Sequence, residues 1–255
     1  WIKNANHKKL TETSAENKLE KFRRLSKNYI FPSFNTIAGT GSNGAIVHYR
    51  ATKSSNKKIK REDIFLCDSG GQYKYGTTDV TRTICFTKQP NVIKSVFTRV
   101  LKGHIAVVTS DLSKFKTGRL IDRRARLHLK KVGLDYAHGT GHGVGFFLNV
   151  HEGPQSISKN NNVKLEKGMI LSNEPGFYKR GEYGIRIENL VYIKRINDRL
   201  LFQNLTLAPI EKDLINFNLL TKKEKDYLFM YHLCVYSKIS KFLSNKERKW
   251  LARQI

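Results

Sequence analysis

Cysteine is scarce in this chain: Cys67, Cys85 and Cys234 are the three among 255 residues. Their spacing matches no zinc-type pair, and an odd, sparse set does not build a disulfide scaffold, so a reducing, cytoplasmic setting is expected. No apolar run approaches the roughly 20 residues that span a bilayer, and no signal-peptide pattern opens the chain, so no membrane partner is expected. Glycine-rich phosphate loops, a Gly-x-Ser-x-Gly elbow and an activated cysteine are all missing, which argues against nucleophilic side-chain catalysis. Internal repeats and low-complexity linkers are absent as well. The first residue is Trp1 rather than Met, so the sequence reads as a fragment or a processed product.

Acidic residues are also few, 21 against 47 Lys and Arg, for a formal charge of +26. The basic residues form no single block and no arginine–aromatic nucleic-acid motif. Salt-sensitive, non-specific adhesion to polyanions is expected, and no specific nucleic-acid partner. Hydrophobic residues at 39% and aromatics at 11% suffice for a core, in one large domain with or without a small appendage.

Local patterns place several elements. Thr13-Ser14-Ala15-Glu16 reads as a capping box opening a helix to about Asn28, with Leu19 and Phe22 on its buried side. Ile64 to Cys67 and Thr78 to Phe86 are strand-like and joined as a hairpin through Gly-rich turns. Val92, Val96, Val100 and Ile105 follow helical spacing, as do Ile121, Ala125, Leu129 and Val132. Met169 to Asn173 and Tyr183 to Ile193 read as strands, the second with Arg186, Glu188, Leu190 and Tyr192 on one face. After Pro209 the character changes, with boxes at Thr221–Glu224 and Ser244–Glu247 opening two basic helices. This tail is either a lid on the domain or an oligomerisation element. Its aromatic stripe is read first as ordinary packing.

Against so few acids, two of them stand out. Asp68 closes the apolar run Ile64-Phe65-Leu66-Cys67 before Gly70 and Gly71, and Asp79 lies in a β-favouring run where Asp is disfavoured. Folding of the hairpin aims both at one point. Three further segments belong with them: His138-Gly139-Thr140-Gly141-His142, Asn173-Glu174-Pro175-Gly176 and Ile185-Arg186-Ile187-Glu188-Asn189. Asp68, Asp79, Glu174 and Glu188 would carry a charge of minus four if all ionised, which two divalent cations would balance. Without such partners, buried acids would be costly or would protonate. Plain ion pairs, Asp79 with Arg82 and Glu188 with Arg186, are the bland alternatives. Among the histidines, the intervening Gly-Thr-Gly argues against a helical pair of ligands at His138 and His142. One ring on metal and others, including His151, on substrate is the preferred reading.

Together these segments resemble the pita-bread metallopeptidases, with particular likeness to the long, cytoplasmic-type aminopeptidase P. The stretches carrying the likeness are Ser42–Tyr49, Asp68–Thr83, Leu101–Val107, His138–Pro154, Gly184–Asn189 and Leu205–Ile210. The resemblance implies an α+β fold with a curved antiparallel sheet flanked by helices. It also implies a catalytic domain over residues 1–210 and a helical extension over 211–255. It assigns Asp68, Asp79, His142, Glu174 and Glu188 to two divalent ions, Mn²⁺ first, with Co²⁺, Zn²⁺ or Fe²⁺ compatible with the donors. His48, His138 and His151 match substrate-side histidines, and Arg186 an arginine beside the bridging Glu188.

The implied reaction is hydrolysis of the bond between an N-terminal residue and a penultimate proline, by a water held between the ions. Glu174 serves as proton carrier, with His138, His151 and Arg186 in the catalytic set. Long-form relatives carry two N-terminal domains, which this chain is expected to lack along with an opening helix. A homodimer, or a separate chain supplying those parts, is the expected partner besides the peptide. The competing reading is a non-catalytic module of the same fold that binds peptide, protein or polyanion.

Overall fold

A computed structural model describes all 255 residues, Trp1–Ile255. In chain order the elements are helix α1 (Glu12–Arg23), β1 (Tyr29–Pro32), β2 (Ile37–Thr40), β3 (Ile64–Ser69), β4 (Gly71–Tyr73), β5 (Gly76–Thr77) and β6 (Val80–Cys85). Helices α2 (Asn91–Val108) and α3 (Gly118–Lys130) follow. Next come β7 (Gly141–Gly143), β8 (Glu152–Ile157), β9 (Ile170–Asn173), β10 (Gly176–Lys179), β11 (Tyr183–Arg186), β12 (Asn189–Ile196) and β13 (Arg199–Asn204). Helices α4 (Lys222–Ile239) and α5 (Asn245–Ala252) close the chain. All strand pairings are antiparallel, in sheets ordered β13-β12-β9-β7-β8, β2-β3-β6, β1-β4-β5 and β10-β11. The fold is the pita-bread α+β architecture expected from sequence.

Helix α2 is the spine. Its 3.6-residue periodicity buries Phe97, Val100 and Leu101 completely, in one cluster with Ile185 and Ile187 and with Leu228, Tyr231 and Val235 of α4. Each such side chain contributes on the order of 1.5–3 kcal/mol on leaving water. A second cluster joins Val107, Ile121 and Ala125 to Leu171, Val191 and Ile193, seating the five-stranded sheet on α2 and α3. The two helices cross so closely that a Cβ on Gly103 would stand 2.4 Å from the Ala125 carbonyl oxygen. The tail therefore packs on the body of the domain, with Leu214, Leu220, Tyr231 and Leu251 in the same cluster as α2, while Phe229, Phe242 and Trp250 stay exposed. No helix is long and apolar enough to cross a membrane.

Two expectations need correction. The first helix is capped by Thr11 and Ser14, two residues earlier than Thr13–Glu16, and ends at Arg23; Phe22 is 45% exposed. The reason lies in Glu12. Its buried carboxylate accepts hydrogen bonds from Thr40 N, Asn43 Nδ2, Tyr49 Oη and Lys57 N, so helix entry is fixed by tertiary ties that sequence spacing does not reveal. The continuous strand expected from Tyr183 to Ile193 is split at Ile187–Glu188. There the chain leaves β10 for β9, while Glu188 N donates to Thr81 O and Glu188 O accepts from Arg82 Nη1.

Where the tail docks, His232 of α4 is 3% exposed and its Nε2 accepts the Ile210 N–H at 3.0 Å. Only the neutral ring accepts there. Burial, then Arg82 and Lys212, pull its pKa down to about 4 from 6.5. A folded pKa below the unfolded one gives stability that is present above pH 6.5 and lost as pH falls towards 4. The contribution is on the order of 3 kcal/mol. Urea unfolding from pH 7 to 4 should therefore show a shallower acid loss in His232→Gln, whose amide oxygen can still accept from Ile210.

Candidate metal centre

The hairpin register aims the first two acids. In β3 and β6, Asp68 lies opposite Thr81 and Ser69 opposite Val80, so Asp68 and the residue just before β6, Asp79, sit at the same end. Antiparallel pairing of β9 with β12 brings Glu174, just past β9, towards Glu188, just before β12. Strand β7 supplies His142 and lies tight on β9: a Cβ on Gly141 would stand 2.0 Å from the Ser172 carbonyl oxygen. His142 N donates to Ser172 Oγ at 2.9 Å, and Glu174 N donates to Thr140 O at 2.8 Å. Hence five side chains from distant segments line one cavity of about 470 Å³, together with His48, His138, His151 and Arg186.

The ligand atoms of Asp79, His142 and Glu188 all lie within 4.8 Å of one another. His142 Nδ1 faces its neighbour's carbonyl, Gly143 O, at 2.8 Å and so carries the proton. That leaves the Nε2 lone pair facing Asp79 Oδ2 at 3.4 Å and Glu174 Oε1 at 3.5 Å, the tautomer a metal ligand requires. Asp68 stands beside this trio, its Oδ2 accepting from Arg186 Nη2 at 2.7 Å. Arg186 also donates to Thr81 Oγ1 at 3.0 Å and to Tyr178 Oη at 2.5 Å. Thr81 in turn donates to Glu188 Oε2 at 2.7 Å. Neither bland alternative holds. Arg82 spends its guanidinium on the carbonyls of Thr81, Glu188, Ala208 and Pro209, and Arg186 pairs with Asp68 rather than Glu188.

Electrostatically the pocket is short of positive charge. Burial first, then Asp68 and Glu174, hold the Asp79 carboxyl well above the usual range. Burial, then Asp79 and Asp68, do the same to Glu188, and burial raises Glu174. For Arg186, burial alone would lower the pKa, but Tyr178, Asp68, Glu174 and Glu188 outweigh it and raise it. Asp68 Oδ1 and Asp79 Oδ1 are buried without any hydrogen-bond partner. Buried acceptors are seldom left this way unless an ion or water completes them. Four carboxylates, two of them with an orphaned oxygen, and one free imidazole nitrogen are a donor set that fits hard or borderline divalent cations.

The neighbouring histidines have distinct settings. His138 Nδ1 lies 2.6 Å from Gly139 O and its Nε2 is 2.9 Å from Tyr178 Oη, so Tyr178, taking a hydrogen bond from Arg186, passes its own to His138. Burial lowers the His138 pKa to about 4, and the ring stays neutral near pH 7. His151 stacks on His142 with centroids 3.7 Å apart. His48 sits exposed on the cavity wall.

Sequence reasoning missed Thr81, Ser172 and Tyr178. A period-two rule would have found the first two, since Thr81 follows Asp79 and Ser172 precedes Glu174 by two positions in strand-like runs. Tyr178 enters only through the β10–β11 hairpin and leaves no local signal.

Fold and pocket together present a candidate centre for divalent cations. The profile of metallopeptidase family M24 matches residues 1–195, and that of the C-terminal region of peptidase M24 matches residues 198–255. This chain belongs to metallopeptidase family M24. Over its whole length it is 46% identical to a Coprinopsis cinerea protein named "Probable Xaa-Pro aminopeptidase P", covering 43% of that protein. It is 43% identical to Aminopeptidase P2 of Arabidopsis thaliana over 98% of this chain and 37% of that one. The crystal structure of the X-prolyl aminopeptidase of Caenorhabditis elegans, described as a cytosolic enzyme with a di-nuclear active site, superposes with a TM-score of 0.91. Identity there is 38%, over 96% of this chain and 42% of that one. The chain thus spans about 40% of the length of these relatives.

Proposed function

We propose that this chain is the catalytic portion of a dinuclear metalloaminopeptidase that releases the N-terminal residue from peptides with proline second. Residues 1–210 would form the catalytic unit and 211–255 an extension docked on it. The observation that carries the reading is the convergence of Asp79, His142 and Glu188 within 4.8 Å, with Asp68 and Glu174 on the same cavity wall. Relatives named as Xaa-Pro aminopeptidases supply the substrate class.

In this reading Asp68, Asp79, His142, Glu174 and Glu188 hold two divalent ions, Mn²⁺ by preference. When bound, the ions supply a lowered water pKa and Lewis-acid polarisation of the scissile carbonyl. Glu174 takes a proton at Oε2, since Oε1 accepts from Ser172 Oγ at 3.0 Å, and delivers it to the leaving proline nitrogen. In the metal-free pocket burial raises its pKa, the direction that favours taking up a proton. His138, held neutral, and His151 steady the substrate backbone and its carbonyl oxygen, and His48 lines the approach. Arg186 keeps Asp68 and, through Thr81, Glu188 in register while holding Tyr178 against His138.

The purified chain loaded with Mn²⁺ should free the first residue of an Xaa-Pro-Xaa tripeptide and leave a Met-Ala substrate largely uncut. Elemental analysis should find two ions per chain, and chelation should abolish turnover. Release of nothing at any loading of Mn²⁺, Co²⁺, Fe²⁺ or Zn²⁺ would sink the catalytic reading and leave a peptide- or polyanion-binding module of the same fold.

A further inference from the structure

Behind the pocket lies an ionic cluster that the catalytic reading leaves unused. Arg126 of α3 is 2% exposed and heads the largest fully buried side chains of the protein. Burying a guanidinium is costly unless its hydrogen bonds are met by fixed partners. Here they are. Nε donates to both Asp122 oxygens at 2.8–2.9 Å, Nη1 to Asp135 Oδ1 at 2.8 Å and Tyr136 O at 2.6 Å, and Nη2 to His138 O at 2.6 Å. The guanidinium lies 3.9 Å over the Tyr136 ring. Asp122, 1% exposed, also accepts from Thr140 Oγ1 at 2.7 Å, and Tyr136 Oη meets that same hydroxyl at 2.5 Å. Thr140 spends its single hydroxyl proton on Asp122, so Tyr136 must be the donor to Thr140.

This ring of bonds closes around residues 135–140, the segment that leads into β7. Two links run from it to the metal centre. Thr140 O accepts from Glu174 N at 2.8 Å, and one residue past Gly141 the backbone of His142 is tied to Ser172, whose hydroxyl reaches Glu174. The cluster touches no cavity-lining carboxylate directly. Its outlets are the backbones of His138, Thr140 and Glu174.

We propose that Arg126, Asp122 and Thr140 are positioning residues: a buried clamp on α3 that sets the height and direction of the His138–His142 strand and of Glu174. Through that strand they tune metal affinity and ligand geometry. The proposal rests on the reading of His142 and Glu174 as ligands. It explains why the sequence commits a fully buried Arg–Asp pair to a helix that otherwise packs with Ile121, Ala125 and Leu129.

Thr140→Val is the cleanest probe, because it keeps shape and removes only the hydroxyl. Asp122→Asn keeps an acceptor for Thr140 but loses the charge. Ile121→Val, on the same helix and buried beside the cluster, serves as a control that disturbs packing alone. Each chain is titrated with Co²⁺ well below its unfolding temperature, following affinity and the visible ligand-field spectrum, with kcat and KM measured alongside. Thr140→Val and Asp122→Asn should weaken Co²⁺ binding by about 10–100-fold, shift the spectrum and lower kcat more than KM changes. Ile121→Val should lower the unfolding temperature with affinity and spectrum intact. Wild-type affinity and spectrum in both clamp variants would overturn the proposal, as would equal effects from Ile121→Val. If the wild-type chain itself binds no Co²⁺, the ligand reading has failed and the clamp falls with it; two-ion binding by the wild type isolates the clamp as the hypothesis under test.

Discussion

Glu174→Gln is expected to reduce turnover of an Xaa-Pro peptide by roughly 10²–10⁴ at saturating metal, with little change in KM. Glutamine keeps an Oε1 acceptor for Ser172 Oγ and fills the same volume, so the loop after β9 should hold its course. What it loses is the ability to take a proton and return it. Because Glu174 Oε1 is also 3.5 Å from His142 Nε2, one ion should bind more weakly, and kcat must be read where metal counts confirm full occupancy. The pH profile separates the roles. A carboxylate that takes up a proton must start ionised, so the acidic limb of kcat/KM in the wild type should report this group and vanish from the residual activity of the variant. A loss below tenfold at two ions per chain would remove Glu174 from proton transfer.

Much of this arrangement was legible in the sequence, and the reason is physical. An acid at the end of an apolar run, a second inside a β-favouring run, and histidines set among glycines each violate the local rule for their surroundings. Violations of that kind persist where something outside local structure compensates. Helices α2, α3, α4 and α5 were equally readable, because amphipathic spacing and capping boxes are local signals. Glu12 shows where legibility ends. It looks like an ordinary first-turn glutamate, yet it is 0% exposed and holds the 40–57 segment through four donors that lie 28 to 45 residues away. The break at Ile187–Glu188 was hidden for the same reason: residues 183–191 are buried throughout, so hydrophobic alternation cannot reveal a change of strand partner. The Arg126 clamp was invisible too, since an Arg four residues after an Asp on a helix reads as a surface pair.

Asp79→Asn should show opposite effects on stability with and without metal. In the metal-free protein burial raises the pKa of both Asp79 and Glu188, with Asp68 and Glu174 adding to the effect at each and Asp79 adding to it at Glu188. Removing one acid relieves that cost, and the metal-free variant should be more stable than wild type by roughly 0.5–2 kcal/mol near neutral pH. The metal-loaded order should invert, because a ligand in hundredfold excess over its Kd stabilises the folded state by about 2.7 kcal/mol per site, and Asp79 is one of the proposed ligands. The pH dependence fixes the sign independently. A carboxyl whose folded pKa exceeds its unfolded value, 3.8 for Asp and 4.5 for Glu, favours folding at low pH and loses that contribution as pH rises through the folded pKa. Buried histidines such as His104 and His138 work the other way, but only below their unfolded value of 6.5. As pH rises through those raised folded values, therefore, metal-free wild type should weaken relative to Asp79→Asn, whose slope lacks the Asp79 contribution, and metal-loaded wild type should not. Chemical denaturation of the two proteins, each with Mn²⁺ and with chelator, measures all four curves. A metal-free wild type that gains stability relative to the variant across that range would mean the four acids do not crowd one another as the geometry requires.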